Sequence, residues 1–288
     1  MTERFVLTAN QYGKAENRVV RIYRDTERHE IRDINVTTTL RGDFEAAYRH
    51  GDQSQVLPTD TQKNTCYAFA KKHGLRQIED YALTLGRHFV AEIAPVRGAR
   101  VAVEEFAWDR VEVDGRGHNH AWVRRGTEVR TTVVEAGEDR TSVSSGLRDL
   151  VLLKSTGSEF AGFLTDEYTT LQETHDRIMA TSLIANWRYG GTEIEWDKTW
   201  ESVRAILLTR FAEVHSLALQ QTLWEMGNAV LAAHPDILDI QLAAPNKHHF
   251  AYDLAPFGLE NNNEVFYAAD RPYGLIECTV GRAGSAGA

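Results

Sequence analysis

The order in which two kinds of hydrophobic periodicity alternate leaves few folds open to this chain. Residues Arg18 to Tyr23 and Ile31 to Leu40 are rich in β-branched side chains with charged residues between them, which predicts a long antiparallel pair. The period then lengthens. A helical stretch over 63–72 is followed, beyond Gly74, by a second over 77–93, where Ile78, Ala82, Leu85, Phe89 and Ile93 form one stripe and Pro95 closes it. Extended segments return over 100–113 and 120–135, about the turn Asp114-Gly115-Arg116-Gly117. The first half therefore reads ββααββ.

The second half repeats that order with little letter-by-letter identity. After a polar stretch over 135–145, strands are expected over 147–154 and 180–189, with a short helical piece around 166–171 between them. Trp200, Val203, Leu207 and Phe211 make one helical stripe, and Leu219, Leu223, Met226, Val230 and Ala233 another, broken by Pro235. Strands over 237–243, 264–267 and 275–280 complete the chain. We expect an α+β protein of two domains, 1–136 and 137–282, with a flexible tail over 283–288. Each domain would be an antiparallel sheet with two helices on one face. Long hairpins leave exposed edges, and joining sheets between subunits into a closed barrel removes them, so an oligomer is expected.

Composition narrows the function. Hydrophobic residues make up 42% and charged residues 25%, as in a globular protein with a full core. A net charge of −9 argues against nucleic acid as a partner. Cys66 and Cys278 stand far apart without C-x-x-C spacing, which implies neither a disulfide framework nor a zinc site and points to a reducing cytoplasm. No apolar run approaches the roughly 20 residues that span a bilayer, and Met1 to Phe5 do not begin a signal peptide, so no membrane role is expected. Neither G-x-G-x-x-G nor G-x-x-x-x-G-K-S/T occurs, so neither flavin nor nicotinamide is indicated. His118-Asn119-His120 and His248-His249 lack further ligands at suitable spacing, and no metal is expected.

Three polar clusters supply proton carriers without a cofactor signature: Tyr12-Gly13-Lys14, Thr59-Asp60 with Lys63-Asn64-Thr65, and Asn246-Lys247-His248. Singly, Lys14 reads as a strand-end lysine, Thr59 as a turn or cap residue, and His248 as a satisfied polar histidine. Arg177 reads as a helix arginine paired with Glu173, Phe160 as a core aromatic, and Gln220 as solvated. In order, however, the clusters resemble those of the urate oxidase family. The run from Lys154-Ser155-Thr156 through Phe160 and Gly162-Phe163 to Asp166-Glu167-Tyr168-Thr169-Thr170-Leu171, then Glu173-Thr174 and Asp176-Arg177, extends the resemblance over nearly the whole chain.

That resemblance implies tandem tunnelling-fold domains, four identical chains stacked into a hollow barrel, and active sites where two chains meet. It implies oxidation of urate by O2 to 5-hydroxyisourate with release of hydrogen peroxide, without metal or organic cofactor. Carried over residue by residue, Lys14, Thr59 and His248 would form a proton relay, and Arg177 would hold the substrate in a bidentate pair. Gln220 would hold its other edge, chosen over Gln221 for the Gln-x-Thr spacing to Thr222. Phe160 would stack on the ring, Asn246 would lie near the dioxygen or water site, and Leu219 and Asp60 would add main-chain contacts. Thr59 and Asp60 would come from one chain, and Phe160, Arg177 and Gln220 from its neighbour. A metal-dependent tunnelling-fold hydrolase of purines or pterins, and a non-catalytic purine-binding protein, are the alternatives. The first requires sensitivity to chelators and the second binding without turnover.

Overall fold

The computed structural model describes residues 5–269 and 271–283. Met1 to Arg4, and the expected tail from Gly284 onward, lie outside the described residues. The chain divides into two compact units, one of residues 1–146 with 188–197 and the other of 147–187 with 198–288. No helix among the described residues is long and apolar enough to cross a membrane.

The first unit opens with β1 (Tyr12–Tyr23) and β2 (Glu30–Gly42), followed by a short α1 (Glu45–His50), then α2 (Thr59–Lys72) and α3 (Ile78–Glu92). It continues into β3 (Val96–Val113) and β4 (Arg116–Gly137), and the strand order is β1-β2-β3-β4, antiparallel throughout. The turn joining β3 to β4 is only Asp114-Gly115, both at positive φ, 51° and 72°. This is the backbone that a two-residue hairpin needs to match strand twist. Alternation decides which face is covered. Val36, Thr38, Leu40, Val101, Val103 and Val134 are buried, whereas Val20 and Ile22 are exposed. The expected stripe of α3 is the buried one, with Ile78, Ala82, Leu85 and Phe89 at 1% exposure or less.

One charged group lies wholly inside this unit. Glu79 on α3 has no exposed surface; its carboxylate accepts hydrogen bonds from Arg130 Nη2 at 2.8 Å and Ser145 Oγ at 2.6 Å. Arg130 also donates to Asp197 Oδ1 at 2.7 Å, and Arg32 donates to Glu105 Oε1 at 2.7 Å beside it. Burial pushes the Glu79 carboxyl above its usual range, against the pull of Arg130 and Ser145. The network ties α3 to β3 and β4 by charge as well as by packing.

β5 (Thr141–Lys154) carries the division between the units, at 146/147. The second unit holds most of β6 (Met179–Tyr189) and of α4 (Trp196–Glu213), then α5 (Leu219–Ala233), β7 (Ile237–Pro245) and β10 (Leu275–Gly281). Its strand order is β6-β7-β10, with β10 antiparallel to β7 from Leu275↔Pro245 to Gly281↔Asp239. α5 lies so close to this sheet that a Cβ on Gly227 would stand 2.5 Å from Val280 Cγ2, so glycine sets the approach. Between β7 and β10 the chain makes a separate two-stranded ribbon, β8 (His248–Ala251) with β9 (Phe266–Ala269).

Three expectations differ from what is observed. The helical piece over 166–171 is instead a turn at Glu167-Tyr168, because Asp166 Oδ1 accepts the Tyr168 N–H at 3.0 Å and the Thr169 hydroxyl at 2.8 Å. That local side-chain bonding competes with a helix. The polar stretch over 135–145 is mostly strand, since β4 and β5 run into it and only 138–140 remain between them. The strand expected over 264–267 begins at Phe266 and pairs with β8 rather than joining the sheet.

Replacing Arg130 by Met should lower stability by about 3 kcal/mol or more, because it leaves a buried carboxylate without its counter-charge. The shift in denaturation midpoint measures it.

Candidate active site

Four segments of the second unit enclose a cavity of about 500 Å³, lined by Phe160, Arg177, Leu219, Gln220, Asn246 and His248 among others. Their backbones are hydrogen-bonded to one another. Ser158 bridges Ser216 in parallel and Phe160 bridges Thr174 in antiparallel fashion. Arg177 N–H donates to Ser158 O at 2.9 Å and Glu159 N–H to Ser216 O at 2.7 Å. The fourth segment leaves β7 under equally firm control. Asn246 bridges Thr181, its N–H donates to Gly274 O at 2.8 Å, and Lys247 N–H donates to Ala180 O at 2.8 Å. Strand register thus delivers Asn246 and His248 to the cavity wall.

Arg177 is the charged centre. It is not on a helix, and its Nε is buried without a hydrogen-bond partner. Among the described residues no carboxylate pairs with it. Its guanidinium carbon lies 5.1 Å from the Phe160 ring centroid, and Phe163 stacks on Phe160 at 5.0 Å and 17°. Desolvation lowers the Arg177 pKa from its ordinary value, which marks a cation held partly out of water. The adjacent Asp176 does not neutralise it, being engaged by the Thr156 hydroxyl at 2.9 Å and the Gly157 N–H at 3.1 Å. His248 is stacked on Phe250 at 5.7 Å, and burial, then the charges of Arg177 and His249, push its pKa down. A neutral imidazole is able both to accept and to donate a proton.

Leu219 and Gln220 open α5. The first intrahelical bond is Thr222 N–H to Ala218 O at 3.2 Å, and no side chain caps the helix, so the preceding amides have no helical acceptor. Gln221 is already committed, its Oε1 accepting the Leu217 N–H at 2.9 Å. Gln220 is the glutamine that lines the cavity. Sequence reading missed other lining residues, Thr174, Phe250 and Ile276. Only the alternation along 275–280 carried any signal for Ile276.

Lys14, Thr59 and Asp60 belong to the first unit. Lys14 faces Thr38 on β2 beside a β-bulge running to Asn17, with Glu16 at φ 57°. Its neighbour Gly13 is obligatory, because a Cβ there would lie 1.8 Å from Thr38 O. Thr59 is the first residue of α2 after the cap Pro58, and it borders a second cavity of about 400 Å³ with Tyr12, Phe44 and Tyr48. Hydrogen bonding from Lys63 holds the Asp60 carboxyl below its usual range, helped by Asn64 and by the charge of Lys14. α2 likewise has no side-chain cap, so the amides of Thr59 and Asp60 point from a helix N-terminus without helical acceptors.

The His118 and His120 rings lie 4.5 Å apart, with His29 6.0 Å from His120. Among the described residues no three His, Cys, Asp or Glu side chains are arranged to hold a metal ion.

A half-buried guanidinium without a counter-charge, aromatic walls and uncapped helix N-terminal amides stand together in an antiparallel α+β protein. The family model described as uricase matches residues 10–135 and 143–277. The uricase of Arthrobacter globiformis is 55% identical over 97% of this chain and 91% of its own length, and that of Dictyostelium discoideum 37% over 97% and 98%. The crystal structure of the Arthrobacter globiformis uricase superposes with a TM-score of 0.94, covering 98% of this chain and 97% of that one. The uricase structure from Bacillus fastidious, 23% identical, shares the fold at a TM-score of 0.83, over 96% and 94% of the two chains. The chain belongs to the uricase family.

Gln221→Ala should cost about 1 kcal/mol of stability by freeing the Leu217 N–H, whereas Gln220→Ala should change it by less than about 0.5 kcal/mol. Denaturation midpoints of the two variants decide it.

Proposed function

We propose that this chain oxidises urate with O2 and water to 5-hydroxyisourate and hydrogen peroxide in purine degradation, without metal or organic cofactor. The observation that carries the reading is Arg177, half-buried and without a counter-charge, beside Phe160 and Gln220 in a chain of the uricase family. A planar purine anion offers adjacent carbonyl and nitrogen positions to a guanidinium fork, and its other edge to a carboxamide that both donates and accepts.

Dioxygen is a triplet and does not combine with a closed-shell molecule in one concerted step. The substrate must first become electron-rich enough to release one electron. Removing a proton from urate does this, because the dianion is a far stronger reductant than the monoanion. Two electrons pass in all from the purine to dioxygen, which takes up two protons and leaves as hydrogen peroxide. Water supplies the hydroxyl of the product. In this reading Lys14, Thr59 and His248 carry the protons, the threonine hydroxyl accepting from one side and donating to the other. The depressed pKa of His248 supports its place in such a relay. Asn246 orients dioxygen or water, and the amides of Asp60 and Leu219 contact the substrate.

The residues fall into two sets, Lys14, Thr59 and Asp60 in one unit and the others in the second. We assign completion of the site to assembly. Four chains join their tandem tunnelling-fold domains into a hollow barrel, with Thr59 and Asp60 of one chain meeting Phe160, Arg177 and Gln220 of its neighbour.

Loss of urate absorbance, followed together with oxygen uptake in chelator-treated protein, tests the reaction. Equal rates with and without chelator are expected; oxygen uptake lost on chelation would overturn the metal-free reading, and no oxygen uptake in untreated protein would favour the hydrolase or binding alternative. Lys14→Met or Thr59→Val should reduce kcat by roughly a hundredfold while shifting urate binding less than about threefold. Arg177→Ala should weaken binding as well, by at least about tenfold.

A further inference from the structure

Alternation along 158–160 puts Ser158 and Phe160 on one face of the three hydrogen-bonded segments, and Glu159 on the other. Ser158 is buried and Phe160 lines the cavity. On the outer face Glu159 meets one histidine from each flanking segment. Its Oε1 lies 2.5 Å from His215 Nε2 and its Oε2 3.1 Å from His175 Nδ1. His175 stands two residues before Arg177, and His215 four before Leu219. A single carboxylate, using both oxygens, therefore joins the three segments that carry Phe160, Arg177 and Leu219-Gln220.

We propose that Glu159 is a positioning residue, clasping His175 and His215 so that the three segments keep the spacing that urate requires. The proposal rests on the assignment of this cavity as the urate site. Hydrogen bonding from His215, then from His175, holds the Glu159 carboxyl below its usual range, in keeping with a carboxylate that accepts from both rings. Neighbouring charges are occupied elsewhere. Asp176 accepts from Thr156 and Gly157, Glu173 accepts the Gly162 N–H at 2.8 Å, Lys154 donates to Val214 O at 2.5 Å, and Arg177 faces the cavity. With His175 78% and His215 59% exposed, water screens both contacts, and the clasp contributes modestly.

Glu159→Ala should raise KM for urate about three- to tenfold, with kcat within about twofold of the parent. Glu159→Gln, which keeps an acceptor but no charge, should recover part of that loss. Hydrogen exchange gives a readout independent of turnover: the amides of Glu159, Phe160, Arg177 and Ser216 should exchange faster in Glu159→Ala. Unchanged KM in Glu159→Ala overturns the proposal, whether or not exchange accelerates. If Arg177→Ala binds urate as the parent does, the assignment of the cavity fails instead, and the exchange result still reports whether the clasp exists.

Discussion

A cation taken partly out of water without a counter-charge is the constraint around which the second unit is organised. Nearby acids stand close enough in sequence to neutralise Arg177, yet each is diverted. Asp176 is turned to Thr156 and Gly157, Glu173 to the Gly162 amide, and Glu159 to two histidines. Desolvating a guanidinium is costly, and no carboxylate among the described residues offsets that cost. Burial first, and then the charge of Arg177, lowers the pKa of His248, so the two groups are electrostatically coupled.

Main-chain geometry, more than side-chain abundance, supplies the rest of the site. α2 and α5 both begin without a side-chain cap, which leaves the amides at Thr59-Asp60 and at Leu219-Gln220 without helical acceptors. Gly13 and Gly227 stand where backbone or side-chain atoms leave no room for a Cβ. One permits Lys14 to follow a close strand contact, and the other lets α5 settle on the sheet. In the first unit a different economy holds. The buried Glu79 is fully paired, and its network with Arg130 and Ser145 fixes α3 without offering a charge to any ligand.

Most of this architecture was legible because it is periodic. The β-branched runs became β1 and β2, the stripes became α3, α4 and α5, and Asp114-Gly115 announced the long hairpin. What escaped was short or local. α1 has six residues, too few for a stripe, and the turn at 166–169 is decided by one aspartate against the helix that its neighbours would allow. Polar residues over 135–145 hid two strand ends, since a strand with one solvated face is free to carry them. In the site, the motifs named Phe160, Arg177, Gln220, Asn246 and His248, which line one cavity. The pairing of Glu159 with His175 and His215 had no motif, because it unites positions up to 56 residues apart.

The ribbon of β8 and β9 sets the order in which the molecule can fail. His248 begins a strand of four residues whose ladder partner is another four-residue strand, and neither joins the main sheet. An isolated pair of that length is held by few bonds and opens more readily than a sheet's interior. Warming should therefore open this ribbon while the helices and long strands still give an intact circular-dichroism spectrum, and cooling should close it.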